Sequence, residues 1–185
     1  MHGQDDLDRV IHTIHATSLT ALSLSGWGCD GLELNLSGEE GLESHFPSLL
    51  HLILGNITRK VPDLEVVARR FPGIERLTCQ VSPKGGLFCD IDHILATIDT
   101  GSSGDSLRWP KLHTVAVSAT GTPLDVIALH HKINMMRDAG HPLRTLKLPR
   151  SLFIQARTKA MGYLRKIVEV EDFSLDWPTP FAGFT

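Results

Sequence analysis

The segment FPSLLHLIL, residues 46–54, contains the pattern that decides the fold of this chain. An aromatic residue and a proline precede an L-x-x-L-x-L arrangement, Leu49-Leu52-Leu54. The two leucines of the L-x-L part share one face of a strand, because side chains alternate along an extended chain. Proline fixes its own φ and forces the preceding residue into an extended conformation, so the pair marks where a helix ends and a strand begins.

This arrangement recurs along the chain with uneven spacing. A unit of one helix, one turn and one short strand cannot bury its apolar side alone, so it has to stack on its neighbours. We therefore predict a solenoid of irregular repeats. Further copies are FPGIERLTC (71–79), WPKLHTVAV (109–117) and HPLRTLKL (141–148). Less complete copies are Leu19-Leu22-Leu24, a weaker one around Leu164-Ile167, and Trp177-Pro178 at the start of another unit.

Helical patterns lie between these strands, which predicts right-handed crossovers and a mostly parallel, curved sheet with helices on its convex side. The longest helix, 122–140, is predicted with Thr122 as its cap, Asp125 in its first turn and Gly140 as its terminator. The other predicted helices are Asp5 to Ala16, 62–70, 90–98 and Ser151 to about Met161.

The 185 residues are enough for one core and too few for two. With 42% hydrophobic and 21% charged residues, the composition excludes a disordered, collagen-like or coiled-coil protein. We expect one domain with an N-terminal helix and hairpin cap (1–45), irregular helix–strand repeats (46–178) and a tail (179–185). The hairpin joins 19–24 to 32–36, because the glycine-rich connection between them is too short for a helical crossover.

The N-terminus, the apolar runs and the cysteine content predict the cellular compartment of the protein. The N-terminus, MHGQDDLDRV, is acidic where a secretory signal is basic and apolar. The longest apolar run, 49–57, is interrupted by polar residues and is far shorter than the roughly 20 residues of a membrane span. Three cysteines are too few for a disulfide framework. We expect an intracellular protein of the cytoplasm or nucleus, without a membrane partner.

Charge is unevenly distributed along a chain whose net charge is -3. Residues 1–45 contain eight acids against Arg9, whereas residues 139–168 contain seven bases and no acid. Two interpretations stay open. The two charged segments are solvated faces at opposite ends of the molecule, or they are binding surfaces. In the second case the basic segment contacts an acidic partner, or the two ends of different copies stack head to tail.

Ten histidines raise the question of metal binding. His12 and His15 are three residues apart on the first predicted helix, but no further ligand completes a site. The segment from Cys89 to His93 is richer in ligand types, yet helix capping explains its aspartates. We therefore predict no metal site.

Catalytic motifs are absent from the sequence. There is no G-x-S-x-G elbow and no phosphate-binding glycine motif, and Cys79 falls at an apolar position of its strand. We predict a non-enzymatic protein with no catalytic residues and no cofactor. The alternative is a small α/β enzyme, hydrolase-like, using His, Ser or Cys in a cleft. We expect no nucleic-acid partner, because only Phe153 and Tyr163 add aromatic rings to the basic segment.

A surface remains as the predicted site. The residues between the leucines face outward and form the concave side of the sheet. Binding of a protein partner or substrate by such a surface depends on a few large or charged anchors among neutral neighbours. The predicted partner-binding residues are His51, Arg76, Gln80, Thr114 and Lys147.

FPSLLHLIL, WPKLHTVAV and HPLRTLKLP resemble the C-terminal region of fungal F-box proteins with degenerate leucine-rich repeats, over roughly residues 45–178. The resemblance implies an α/β leucine-rich-repeat-like solenoid that recognises substrates for ubiquitin ligation. In that family an N-terminal F-box binds a Skp1-type linker. The first 18 residues are too short for an F-box, so a Skp1-type partner is expected only if an F-box lies upstream of Met1.

Overall fold

Short strands and helices alternate along the chain. The computed structural model describes residues 13–25, 45–57, 64–81, 91–99, 109–118, 124–155 and 158–173. The strands are β1 (Ala21–Ser25), β2 (His51–Ile57), β3 (Arg76–Val81), β4 (Thr114–Val117), β5 (Thr145–Leu148) and β6 (Glu169–Asp172). The helices are α1 (Leu64–Arg70), α2 (Ile91–Asp99), α3 (Val126–Asp138), α4 (Arg150–Gln155) and α5 (Thr158–Leu164).

The six strands form one open sheet in which the spatial order is the chain order, β1 to β6. Every neighbouring pair is parallel. From β2 onward a helix separates each strand from the next, because parallel neighbours need a crossover and cannot be joined by a tight turn. The expected α/β fold with a parallel sheet is confirmed.

A repeated pair of main-chain hydrogen bonds fixes the register of the sheet. The carbonyl oxygen of Thr20 accepts from the N–H groups of Leu50 and His51, both at 3.0 Å. The carbonyl oxygen of Leu50 accepts in the same way from Glu75 at 2.8 Å and Arg76 at 3.0 Å. The pair recurs from His113 and Thr114 to Glu75, and from Arg144 and Thr145 to His113. Successive units therefore join through equivalent bonds.

Two aromatic-proline pairs lie in tight turns that precede their strands. The N–H of Leu49 donates to the Phe46 carbonyl oxygen, and the N–H of Leu112 to that of Trp109, both at 3.1 Å. Trp109 is fully buried, and its indole Nε1–H donates to the carbonyl oxygen of Phe71 at 2.9 Å. The aromatic residue of one unit is thus bonded to the turn of the unit before it.

The weak copy near the C-terminus forms a complete unit in a frame that differs from the predicted one. The N–H of Ile167 donates to the Leu164 carbonyl oxygen at 3.0 Å, which is the bond that Leu49 makes to Phe46. Leu164 therefore stands where the aromatic residue stands in other units. Ile167 follows it in the turn and leads into β6.

One face of the sheet carries the aliphatic residues of the repeated pattern and packs against the helices. Leu52, Leu54, Leu77 and Cys79 are fully buried, in one core with helix residues such as Leu64. The burial of Cys79 agrees with its predicted role as a small apolar residue. The helices also pack on each other, α1 on α2, α2 on α3 and α3 on α5.

Two helices differ from their predicted bounds. Asp125, expected in the first turn of α3, is its cap, and its Oδ1 accepts from the N–H groups of Ile127 at 3.0 Å and Ala128 at 3.1 Å. The helix expected from Ser151 to about Met161 consists of α4 and α5. Several predicted features lie outside the described residues: Thr122, strand 32–36, the tail 179–185 and most of helix 5–16. None of the helices in the described ranges combines the length and hydropathy that a membrane crossing requires.

Leu52 in β2 and Leu50 in the turn before it test which leucines of this segment belong to the core. Leu52 is 0% exposed and Leu50 is 42% exposed. We expect Leu52→Ala to lower the free energy of unfolding by about 2–5 kcal/mol, because it leaves a cavity in the core. The matched variant Leu50→Ala should change it by less than about 0.5 kcal/mol. Urea denaturation measures both values, and equal losses would contradict the difference in burial between the two leucines.

The end of α3 provides a second test. Gly140 has a φ of 84°, and the N–H groups of Gly140 and His141 donate to the carbonyl oxygens of Arg137 and Met136, both at 2.9 Å. Gly140→Ala should cost about 1–2 kcal/mol of stability, because a Cβ is strained in this conformation. Gly162→Ala in α5, where nothing lies within 4 Å of the added Cβ, should raise stability by about 0.5–1 kcal/mol. Thermal denaturation of both variants separates these opposite signs.

Candidate functional site

The second face of the sheet carries the residues that lie between the core positions. Parallel pairing in one register aligns them in two rows across all six strands, and we refer to this side as the polar face. The first row is Ala21, His51, Arg76, Thr114, Thr145 and Glu169. The second row is Ser23, Ile53, Thr78, Ala116, Lys147 and Glu171.

The centre of the polar face is closed to solvent. Ile53 and Ala116 are 3% exposed, and Thr78 between them is 6% exposed. Because these side chains offer little accessible area, a molecule that contacts this face meets mainly the longer side chains of the first row and the residues at the ends of the second row.

His51 and Arg76 are neighbours in the first row, and both are half-buried. The Nε2 atom of His51 lies 2.8 Å from the Thr78 hydroxyl oxygen, which holds the imidazole ring over the second row. Thr114, on the other side of Arg76, is buried at 6% exposure. Of these three predicted binding residues, His51 and Arg76 therefore present accessible atoms, whereas Thr114 mainly fills the sheet surface.

Lys147 lies at the other end of the second row. Its Nζ atom is 3.3 Å from a carboxylate oxygen of Glu171 on β6, and the two side chains are 14% and 42% exposed. The Thr145 hydroxyl also donates to Glu169 at 3.5 Å. Neither glutamate is among the predicted binding residues, because the repeat pattern around Leu164-Ile167 is too weak to identify the strand that carries them. When the repeat pattern is counted from Ile167, it predicts the register of β6 and places both glutamates on the polar face.

Gln80 lies near the end of β3, beside an irregularity in the sheet. The pairing of β2 with β3 shifts between Leu54 and Ile57. A Cβ placed on Gly55 would lie 3.7 Å from the Gln80 Oε1 atom and 3.4 Å from the Ser25 Cβ atom. These are ordinary van der Waals distances, so the Gln80 side chain lies directly beside the β2 backbone. Gln80 therefore extends the polar face beyond its two rows.

A histidine and a glutamate border the polar face where β3 and β4 begin. His113 Nε2 lies 3.5 Å from a Glu75 carboxylate oxygen, a contact that is ionic when the ring is protonated. The other ring nitrogen, Nδ1, lies 3.0 Å from the Thr114 hydroxyl oxygen. Both groups are partly exposed, so this edge adds polar and acidic contacts next to Arg76.

Some candidate nucleophiles and metal ligands of the alternative, a small enzyme, can be located among the described residues. Cys79 is buried in the core, and the Thr78 hydroxyl beside His51 belongs to a side chain with almost no exposed surface. Within the described ranges no group of three or more His, Cys, Asp or Glu could hold a metal ion. His15 stacks on His45 with ring centroids 3.9 Å apart. His12, Cys89 and the side chain of His93 lie outside the described residues.

The sequence matches no protein-family model, and neither a curated protein nor a solved structure is significantly similar to it.

The ion pair between β5 and β6 generates a prediction. In a double-mutant cycle of Lys147→Met and Glu171→Gln we expect a coupling energy of about 0.5–1 kcal/mol, because Lys147 is shielded from water while Glu171 is only partly so. The free energy of unfolding of the four proteins gives this value. A coupling near zero would show that the pair does not hold the two strands together.

Proposed function

We propose that this chain is an irregular leucine-rich-repeat-like solenoid that acts as a non-enzymatic protein-recognition module through its polar face. The observation that carries the proposal is the shared register of the six strands. It brings His51, Arg76 and Lys147, which are far apart in the sequence, onto one side of one sheet. Accessible polar and charged side chains spread over several strands in this way suit a macromolecular partner.

The distribution of exposure supports a small central anchor. His51 and Arg76 are adjacent and half-buried, while the residues beside them, Ala21 and Thr114, are neutral and buried. Arginine is enriched among residues that dominate binding energy, and such residues lie among near-neutral neighbours that exclude water. We propose that Arg76 is the main anchor and that His51 orients the contact.

The β5 and β6 end of the polar face contributes selectivity. Lys147 is paired with Glu171, and Glu169 is exposed. A partner with a carboxylate opposite Glu169 and Glu171 would be repelled, and one with a cation there would be favoured. The polar face therefore prefers a partner surface that is acidic or neutral opposite Arg76 and basic opposite β6.

The resemblance to fungal F-box proteins extends the proposal to a cellular role. In that role the polar face is the substrate-recognition surface of a ubiquitin-ligase adaptor, and a Skp1-type linker binds only if an F-box lies upstream. The support is the aromatic-proline and leucine pattern, together with its recurrent turn and register bonds.

A charge reversal at the anchor tests the proposal. The immobilised protein is used to retain partners from cell extracts, and a retained protein is then purified and titrated against two variants. We expect Arg76→Glu to raise the dissociation constant of the retained protein by about tenfold or more. Arg69→Glu is the matched control, since Arg69 is exposed on α1, on the helical side of the sheet.

The outcomes of this titration are distinct. Loss of binding with Arg76→Glu alone supports recognition by the polar face. Equal binding by the wild type and Arg76→Glu, or equal loss with Arg69→Glu, would contradict it. Circular dichroism of both variants checks that the fold is retained.

A further inference from the structure

A groove of about 760 Å³ lies where the chain enters β5 and β6. Its walls come from the turn that follows α3 and the turn that follows α5. We refer to it as the basic groove, because four cationic side chains line it and Glu169 is the acid among its described lining residues. The cations are Arg137, Arg144, Arg165 and Lys166.

All four cations of the basic groove are exposed. Arg137, Arg144 and Arg165 form no ion pair with any residue in the described ranges. Lys166 lies with its Nζ atom 5.2 Å from the ring centroid of Tyr163. Since the chain as a whole carries a net charge of -3, this concentration of positive charge is local. Like charges held together in this way favour a bound anion.

We propose that the basic groove binds an acidic peptide segment of a partner protein, with carboxylate side chains of the peptide paired to the arginines. A guanidinium group matches a carboxylate through two parallel hydrogen bonds, so three arginines around one groove can hold several carboxylates in defined positions. The groove is far larger than a single anion, which suits a segment of chain.

The main chain of the groove is already hydrogen-bonded. The N–H groups of His141, Ile167 and Glu169 donate to the carbonyl oxygens of Met136, Leu164 and Arg144, at 2.9, 3.0 and 2.8 Å. These groups cannot form the main-chain cradle that typically holds a phosphate. Recognition therefore depends on side chains, which suits carboxylates spaced along a peptide better than one compact phosphate.

The remaining lining favours a peptide over a nucleic acid. Pro142 and Ile167 are half-buried, so the groove offers aliphatic contacts between its charges. Single-stranded nucleic acids are bound by basic grooves that also supply aromatic rings for base stacking. Tyr163, an exposed ring near these cations, has Lys166 over it and is not among the lining residues. A peptide with aliphatic residues between its carboxylates fits this lining.

The inference goes beyond the proposed function, because the basic groove and the polar face share only Glu169. Failure of the groove proposal can also be distinguished from failure of the proposed function. Arg76→Glu tests the polar face and should leave peptide binding in the groove unchanged, whereas Arg165→Glu tests the groove and leaves Arg76 in place.

Fluorescence anisotropy with a short labelled peptide, in which glutamates are interspersed with leucines, tests the proposal. We expect binding that weakens as ionic strength rises, because the contacts are charged. Arg165→Glu should raise the dissociation constant of the peptide by about tenfold, and the neutral Arg165→Gln should raise it by less. Arg69→Glu, a charge reversal on α1, is the matched control and should not change binding. Thermal melts verify that each variant is folded.

Four outcomes would overturn the proposal. The first two are no binding of the glutamate peptide and equal binding of the same peptide with glutamines. The third is unchanged binding by Arg165→Glu. The fourth is tighter binding of a single-stranded oligonucleotide of equal charge, which would make the groove a nucleic-acid site. Sedimentation adds a further check: self-association of the chain that Arg165→Glu abolishes would assign the groove to a second copy, and not to a separate partner.

Discussion

The bond that the rest of the structure depends on is a shared acceptor, the carbonyl oxygen that precedes a strand. At Thr20, Leu50, Glu75 and His113 this oxygen accepts two consecutive N–H groups of the next unit. The two bonds leave no freedom to slide one strand along its neighbour by a single residue. Such a slip would turn the leucines outward and the polar residues into the core. The core and the polar face are thus set by the same contact.

Much of this arrangement could be predicted from the sequence, because its signals are local. Period-two alternation identifies the strands, and a proline before each strand marks where the preceding helix has ended. Gly140 predicts the end of α3 because glycine tolerates a positive φ, and its φ is 84°. The sequence predicts the cap of that helix three residues early, at Thr122, since Thr, Pro and Asp are all typical of a helix start and only the geometry selects Asp125.

The site was less predictable, because its properties arise between distant residues. The sequence placed Lys147 on the polar face, but its pairing with Glu171 depends on a strand whose leucine positions are only partly aliphatic. Nor could the pattern show that Thr114 is buried while Arg76 beside it is not. The basic segment 139–168 likewise divides in space: Lys147 lies on the polar face, whereas Arg144 and Arg165 line the basic groove.

The last strand has a consequence for how copies of this protein behave together. Within the described residues β6 pairs with β5 alone, and the edge of a sheet can recruit a strand from another molecule. Three of its four residues, Glu169, Glu171 and Asp172, are acidic. Two such edges brought to the roughly 5 Å spacing of paired strands would repel each other strongly. The acidic strand therefore opposes the pairing of two molecules through their β6 edges.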